Sequence, residues 1–382
     1  QALEEDCAVV AVMSGNWVQG GRPAVLDKWT RARLALLGGV DLVLELPTVW
    51  AVSSAETFAR GAVTILERSG VVDVLSFGSE YGDVEKLRRL AASLNTPEYE
   101  ESLRRFVGEG MPFAAARQAA ADSLLGEELS LLLSQPNNNL GVEYLRTLDS
   151  LNSKIQPMTV RREGAPHDSL LEGADRPQHL SATQLRVYLE HGDWPALEPY
   201  LPKGGLELLK EGWNGFPSLQ RMERGILAKL RTMTAEDWAK LPDSGAGEGL
   251  QPRLERAGKQ CCSLEELFCS GQAEALDPGP DAAAAGVGLF GSDPGGTAGT
   301  ALLSAGAGVH SPGSGGSAPH EKRVPWCVLT KPAHARRQLE GDLRLFELEA
   351  RCTDLYDLCF ETILPPGREW TTGPVRMLEE ER

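Results

Sequence analysis

From Cys7 onward, unbroken apolar runs alternate with stretches in which apolar residues recur at helical spacing. The runs "CAVVAVM", "VDLVLELP" and "VDVLSFGS", and the shorter "QPMTVRRE", read as strands, while "KWTRARLALL" and "AETFARGAVTILERSG" carry the helical period. This alternation predicts an α/β fold with a parallel sheet and crossover helices. Continuous Val and Leu, rather than strict alternation with polar residues, suits strands covered on both faces. Polar residues or glycines follow each run, in "MSGN", "ELP", "FGSE" and "RREG". Ligands of open parallel sheets lie beyond the carboxyl ends of the strands, so four such ends predict one shared crevice.

Downstream, a helical region runs from Asp83 to about Leu133, followed by "QPNNNLGVEYLRTL" and "LSATQLRVYLEHG". A helical domain is predicted from Asp193 to Gln272, with "MERGILAKLRTM" and "LERAGKQCCSLEELF" as its clearest helices. Ala273 to His320 is rich in Gly, Ala, Ser and Pro and contains no Lys or Arg. Such a segment buries too little apolar surface to offset its ordering entropy and reads as disordered. Order is predicted to resume in "VPWCVLTKP" and the helical "QLEGDLRLFELEARCTDLYDLCF". The expected organisation is therefore residues 1–192, 193–272, 273–320 and 321–382, the last a small C-terminal α/β module.

At 382 residues and 42% hydrophobic content the chain has room for several domains with ordinary globular cores. No apolar run reaches the ~18–20 residues of a membrane span, and the N-terminus lacks the order of a signal peptide, so the expected location is cytoplasmic. Seven scattered cysteines argue against a disulfide framework, and Cys261, Cys262 and Cys269 lack the paired spacing of a zinc site. A net charge of −16 disfavours non-specific attraction to phosphate backbones. Any nucleic-acid contact must come from local basic patches such as Lys28, Arg31 and Arg33, or Arg221, Arg224, Lys229 and Arg231, each of which also fits a solvated helix face.

Several constellations admit both a chemical and a structural reading. The loop from Ser14 to Gly21 offers backbone N–H groups and a helix N-terminus to an anion, or is a tight strand-to-helix turn. Gly78 in "FGSE" lets an adenine or ribose approach the backbone, or simply turns the chain. In "SQPNNNLG" a single asparagine suffices as a helix cap, leaving surplus amides among Asn137, Asn138 and Asn139 for a purine edge or ribose hydroxyls. "LSATQLR" fits a capping box, with Ser181 at the cap and Gln184 three residues on. The same helix start, with Thr183 and Arg186, offers a clamp for a triphosphate. Arg161 and Arg162, at alternating strand positions, supply the nearest further cation. His167 beside Asp168 is a general acid or base, or a structural histidine.

Taken in order, "VAVMSGNWVQGGRPAVLDKWTRARLAL", "DLVLELP", "FGSE", "PNNNLGVEYL", "TVRREG" and "SATQLR" resemble the tRNA(Met) cytidine acetate ligase family, as do "SLEELF" and "ARCTDLYDLCF" further on. The resemblance implies a Rossmann-like nucleotidyltransferase domain that joins acetate to ATP, with Mg2+, as acetyl-adenylate. The acetyl group then passes to N4 of the wobble cytidine of elongator tRNA(Met). It further implies that Gly78, Asn137 and Arg162 contact ATP, with Ser181, Thr183 and Arg186 near its phosphates. Lys28, Arg31, Arg224, Arg253 and Lys259 are the basic residues proposed to hold RNA.

Three departures qualify these expectations. The family's HxGH motif, on a first strand, would lie upstream of Gln1, so the chain looks truncated and its catalytic residues are unassigned. The family pattern QRGEPA is "QGGRPA" here, with Gly20 for a basic residue and Arg22 for an acidic one. The Gly/Ala-rich segment stands where the family continues into a basic stretch, and lost phosphate contacts weaken RNA binding steeply. Two other readings stay open: an adenylyltransferase for a small cofactor precursor, and a non-catalytic remnant that binds nucleotide or RNA.

Overall fold

The computed structural model describes residues 7–162, 180, 182–239, 250–272, 303–304, 309–310, 328–329 and 343–377. They fall into two compact units built from separated stretches: 1–52, 163–228 and 293–382 form the first, and 53–162 with 229–292 the second.

The first unit opens with β1 (Val10–Ser14), a hairpin of β2 (Trp17–Val18) and β3 (Arg22–Pro23), α1 (Lys28–Leu37), β4 (Leu42–Leu46) and α2 (Thr48–Ala51). β1 and β4 run parallel, with Val10 opposite Leu42 and Ser14 opposite Leu46. The connecting helix α1 starts at Asp27, whose carboxylate caps the Thr30 N–H, and ends at Gly38. It turns Ala32 and Leu36 onto Val43, as a crossover helix must to cover a parallel pair.

The second unit takes over with α3 (Ala55–Ser69), capped by Ser54 and ended by left-handed Gly70. β5 (Val74–Ser79), α4 (Val84–Ser93), α5 (Pro97–Gly108), α6 (Phe113–Leu125), α7 (Glu127–Ser130), α8 (Pro136–Ser150) and β6 (Gln156–Arg161) follow. β5 and β6 pair in parallel from Val74 opposite Gln156 to Ser79 opposite Arg161. α8 lies so close to β5 that a Cβ on Gly141 would sit 2.6 Å from the Phe77 ring.

The chain returns to the first unit with α9 (Ala182–His191), α10 (Trp194–Leu197) and α11 (Gly205–Glu211). Leu185, Tyr188 and Leu189 of α9 pack with Val25 and Leu26, just after β3. α12 (Glu223–Thr232) carries the chain across the division, and α13 (Ala235–Ala239), α14 (Leu250–Gln260) and α15 (Leu264–Gln272) belong to the second unit. The single helix that "LERAGKQCCSLEELF" invites is thus two, parted at Cys261–Ser263, where Ser263 offers its hydroxyl to Glu266 N–H.

Within the Gly/Ala-rich segment, β7 (Leu303–Ser304) and β8 (Val309–His310) are described, and the rest lies outside the described residues. β9 (Val328–Leu329), α16 (Arg344–Asp357), α17 (Arg368–Thr371) and β10 (Arg376–Met377) complete the first unit. Its sheet order is β1-β4-β8-β10. The α/β architecture with parallel strands read from the apolar runs is borne out, the four predicted strands pairing as β1 with β4 in the first unit and β5 with β6 in the second. No described helix is long and apolar enough to cross a membrane.

Candidate functional site

In the first unit, the chain leaves β1 at Ser14 into Gly15 and Asn16, and the β2–β3 hairpin turns through Gly20 and Gly21 at φ 79° and 68°. Gly15 is required by a close approach, since a Cβ there would collide with the Glu45 carboxylate. The Arg31 guanidinium donates to the carbonyls of Ser14 and Gly15 and through Nε to Leu26 O, so it caps the acceptors at the strand end. Beneath this loop lies a buried ionic cluster. Lys28 Nζ donates to both Glu45 oxygens at 2.8 Å and to Glu369 Oε1 at 2.7 Å. Burial pulls the ammonium pKa down, but Glu369, Glu45 and Glu349 together raise it above its ordinary value.

Glu349 of α16 completes this cluster. Its carboxylate accepts from Thr48 N and Thr48 Oγ1, both at 2.7 Å. Burial first, and then Glu45, push the Glu349 carboxyl up to about 8 against the pull of Lys28. α16 also reaches the hairpin: Trp17 Nε1 donates to Cys352 O at 2.8 Å and Tyr356 Oη to Ala24 O at 2.9 Å. Arg368 bridges Asp27 and Asp357 and lies over the Trp29 ring.

In the second unit, the ends of β5 and β6 meet the start of α8. Glu80 accepts from Asn137 N at 3.1 Å, Asn137 Nδ2 at 2.6 Å and Asn138 N at 2.7 Å. Burial works against the Glu80 charge, yet these donors, the Asn137 side chain foremost, hold its carboxyl below the ordinary value. The asparagines are therefore not caps: they occupy the first helical turn after Pro136, and Glu80 takes the orphan N–H groups. Asn138 Oδ1 accepts from Tyr81 N at 3.1 Å. Gly82, at φ 75°, leaves room for Arg161, whose Cβ would lie 2.6 Å from a Cβ at that position.

Three of the residues assigned to ATP come together here. Gly78 is inside β5 rather than in a turn, with the Arg162 Cγ 3.4 Å from where its Cβ would be. Arg162 N donates to Ser79 O at 2.9 Å, and its Nη1 lies 3.5 Å from Asn137 Oδ1. Arg161 and Arg162 are both exposed, so the strand does not turn one of them inward. In the first unit, Thr183 is half-buried and Arg186 exposed on α9. Partial burial, and then neighbouring Arg22, hold the Arg186 guanidinium below its ordinary pKa. Ser181, His167 and Asp168 lie outside the described residues.

The basic residues assigned to RNA divide. Lys28 and Arg31 are corrected: Lys28 is 3% exposed and locked between two carboxylates, and the Arg31 guanidinium is held by three backbone carbonyls. Lys28 cannot be a surface contact, because exposing the buried ammonium would strip two carboxylates of their counter-charge, and half-buried Arg31 spends its Nε and Nη2 on backbone carbonyls. Arg224 is exposed on α12, and Lys259 is exposed with Glu255 one turn back at 2.5 Å. Arg253 lies on α14. Sequence reasoning missed Asn16, Thr48, Glu80, Glu349, Thr353 and Glu369. A signal did exist for the ionic cluster: Glu45 interrupts the apolar run "LVLELP", and a carboxylate in a buried strand demands a cation.

The chain belongs to the HIGH nucleotidyl transferase family, which it matches over residues 1–272. Within that class, it is similar to proteins named tRNA(Met) cytidine acetate ligase. The protein of that name from Caldanaerobacter subterraneus subsp. tengcongensis is 41% identical over 268 residues, covering 68% of this chain and 65% of that protein. The Alkaliphilus metalliredigens protein is 42% identical, covering 70% of this chain and 66% of its own length. The chain thus spans just under two thirds of these relatives. The solved structure of Thermotoga maritima TmcAL bound with alpha-thio ATP matches with a TM-score of 0.83 at 28% identity, covering 97% of this chain and 92% of that one.

Proposed function

We propose that this chain is an ATP-dependent ligase that activates acetate as acetyl-adenylate and acetylates N4 of the wobble cytidine of elongator tRNA(Met). The observation that carries this reading is the convergence of Gly78, Asn137 and Arg162 at the β5 and β6 ends: an exposed guanidinium beside an amide carbonyl, over a strand residue with no side chain. Arg162 supplies charge-assisted donors to a nucleotide, and Gly78 lets a ring or ribose reach the strand. In the first unit, Arg186 and Arg22 repel one another and have no carboxylate partner among the described residues, an arrangement suited to a polyphosphate. The Thermotoga maritima neighbour, bound with alpha-thio ATP, supports the nucleotide assignment.

In the reaction, an acetate oxygen attacks the α-phosphorus in line and pyrophosphate leaves; the cytidine amine then attacks the acyl carbon and AMP leaves. Positioning and electrostatic stabilisation are the protein's main contributions to such transfers. Glu80 is engaged by three donors and Glu45 by Lys28, so neither would hold Mg2+; a Mg2+ ion arriving with ATP would neutralise phosphate charge there. A wobble base lies in a single-stranded loop and splays out without breaking a duplex, with Arg224, Arg253 and Lys259 offered to phosphates.

The test combines the protein with ATP, labelled acetate and unmodified elongator tRNA(Met), and looks for N4-acetylcytidine by nucleoside mass spectrometry. Product that requires all three substrates is expected. ATP binding without product would leave the nucleotide-binding remnant, and pyrophosphate release on a small precursor without tRNA would favour the adenylyltransferase.

A further inference from the structure

The loop after β1 is held by a closed ring of hydrogen bonds. Lys28 N donates to Asn16 Oδ1 at 2.8 Å, and Asn16 Nδ2 donates to Thr353 Oγ1 at 3.1 Å. Thr353 Oγ1 donates to Glu369 Oε2 at 2.8 Å, and Glu369 Oε1 accepts from Lys28 Nζ at 2.7 Å, closing the circuit. Asn16, Lys28, Thr353 and Glu369 are 2, 3, 2 and 4% exposed. We propose that Thr353 is a positioning residue for the loop Ser14–Asp27, fixing through Asn16 the backbone that the ligand meets. This rests on the proposed placement of Arg22, which lies in that loop, beside Arg186 at the polyphosphate.

The direction of each bond leaves few substitutes. Glu369, flanked by an ammonium and a hydroxyl, only accepts. The Thr353 proton is therefore committed to Glu369, and its oxygen is left to accept from an amide. Asn16 is the side chain that gives an N–H to Thr353 while taking the N–H of Lys28; aspartate would set two acceptors against each other. Lys28 closes the ring from both its main chain and its ammonium, so the loop is tied to the first turn of α1 and to the ionic cluster at once. The contacts of Trp17 with Cys352 O and of Tyr356 with Ala24 O bypass Thr353. Removing its hydroxyl therefore frees Asn16 while α16 keeps its other anchors on the hairpin.

The experiment compares wild type, Thr353→Val and Thr353→Ser by hydrogen exchange over residues 14–27 and by ATP affinity. Thr353→Val is expected to lose exchange protection in that loop but not at Leu42–Leu46, and to bind ATP roughly tenfold more weakly, the scale of one buried hydrogen bond. Thr353→Ser, which keeps the hydroxyl, is expected to match wild type in both. If Thr353→Val is not recovered folded, Thr353→Ala removes the same hydroxyl with less crowding and replaces it throughout. Unchanged loop protection overturns the ring. Altered protection with wild-type ATP affinity overturns its positioning role while leaving the nucleotide reading intact. Failure of the wild-type protein to bind ATP overturns that reading, and with it the role assigned to Thr353.

Discussion

At the end of β1 the cations are turned inward, and at the end of β6 they are turned outward. Lys28 and Arg31 follow a strand end and open a helix, which makes them look like ligands for an anion; yet one neutralises Glu45 and Glu369 and the other covers the carbonyls of Ser14, Gly15 and Leu26. Among the described residues, the side chain of Arg162, also at a strand end, makes only a long contact to Asn137 and stays exposed. The difference lies in the carboxylates. In the first unit Glu45 and Glu369 are buried and require compensation, whereas in the second Glu80 is satisfied by helix N–H groups and an amide, and its neighbouring arginine has no carboxylate partner among the described residues.

Breaking the contrast at its strongest point, Lys28→Met leaves Glu45 and Glu369 buried without a counter-ion. It is expected to destabilise the protein by about 3–5 kcal/mol in denaturant unfolding; a loss within the error of the measurement would mean the pair is not buried as described. Next comes the pH dependence. Burial raises Glu349 from its ordinary 4.5 to about 8, so the folded chain keeps a proton that the unfolded chain releases. Its contribution is whole below about 4.5 and drains away as pH climbs through about 8. Stability should therefore decline over that window in wild type and less so in Glu349→Gln. Glu80, held below its ordinary value, has the opposite sign: its contribution is present above 4.5 and lost as the solution becomes more acidic, a loss that Glu80→Gln should blunt.

Arg162→Ala sharpens the other side. It should alter stability by no more than ~0.5 kcal/mol, while ATP affinity falls on the order of tenfold or more, as expected for a charge-assisted contact. Equal affinity in calorimetric titrations would remove Arg162 from the nucleotide site. The smallest effect is Lys259→Ala. Its exposed bond to Glu255 contributes ~0.3–0.5 kcal/mol at most, so a change in tRNA retention with no shift in melting is the expected result.

Much of the scaffold was legible because strand and helix periodicities are local. "VDLVLELP" yields β4, "QPMTVRRE" yields β6, and Ser54 and Gly70 bracket α3 as a cap and a left-handed terminus should. Gly78, Asn137 and Arg162 were assigned together to ATP through family resemblance rather than from spacing; their approach to one another is a finding of the structure. The inward fate of Lys28 and Arg31 was not legible, since "DKWTRAR" has the charge pattern of a solvated helix. Their partners lie in a strand, a loop and a helix as much as 341 residues away. The asparagine run misled for a related reason: a helix start can borrow a carboxylate from 57 residues earlier, so no cap is needed from the run itself.

The ring through Thr353 joins residues 337 positions apart. A ribosome adding roughly 5–20 residues per second delivers Asn16 and Lys28 on the order of 20–70 seconds before their partner exists. During that interval the amide, the ammonium and Glu45 must stay hydrated, so the hairpin cannot settle into its final burial on a nascent chain. The loop is therefore completed only when Thr353 and Glu369 emerge, long after the Asn16 and Lys28 that they hold.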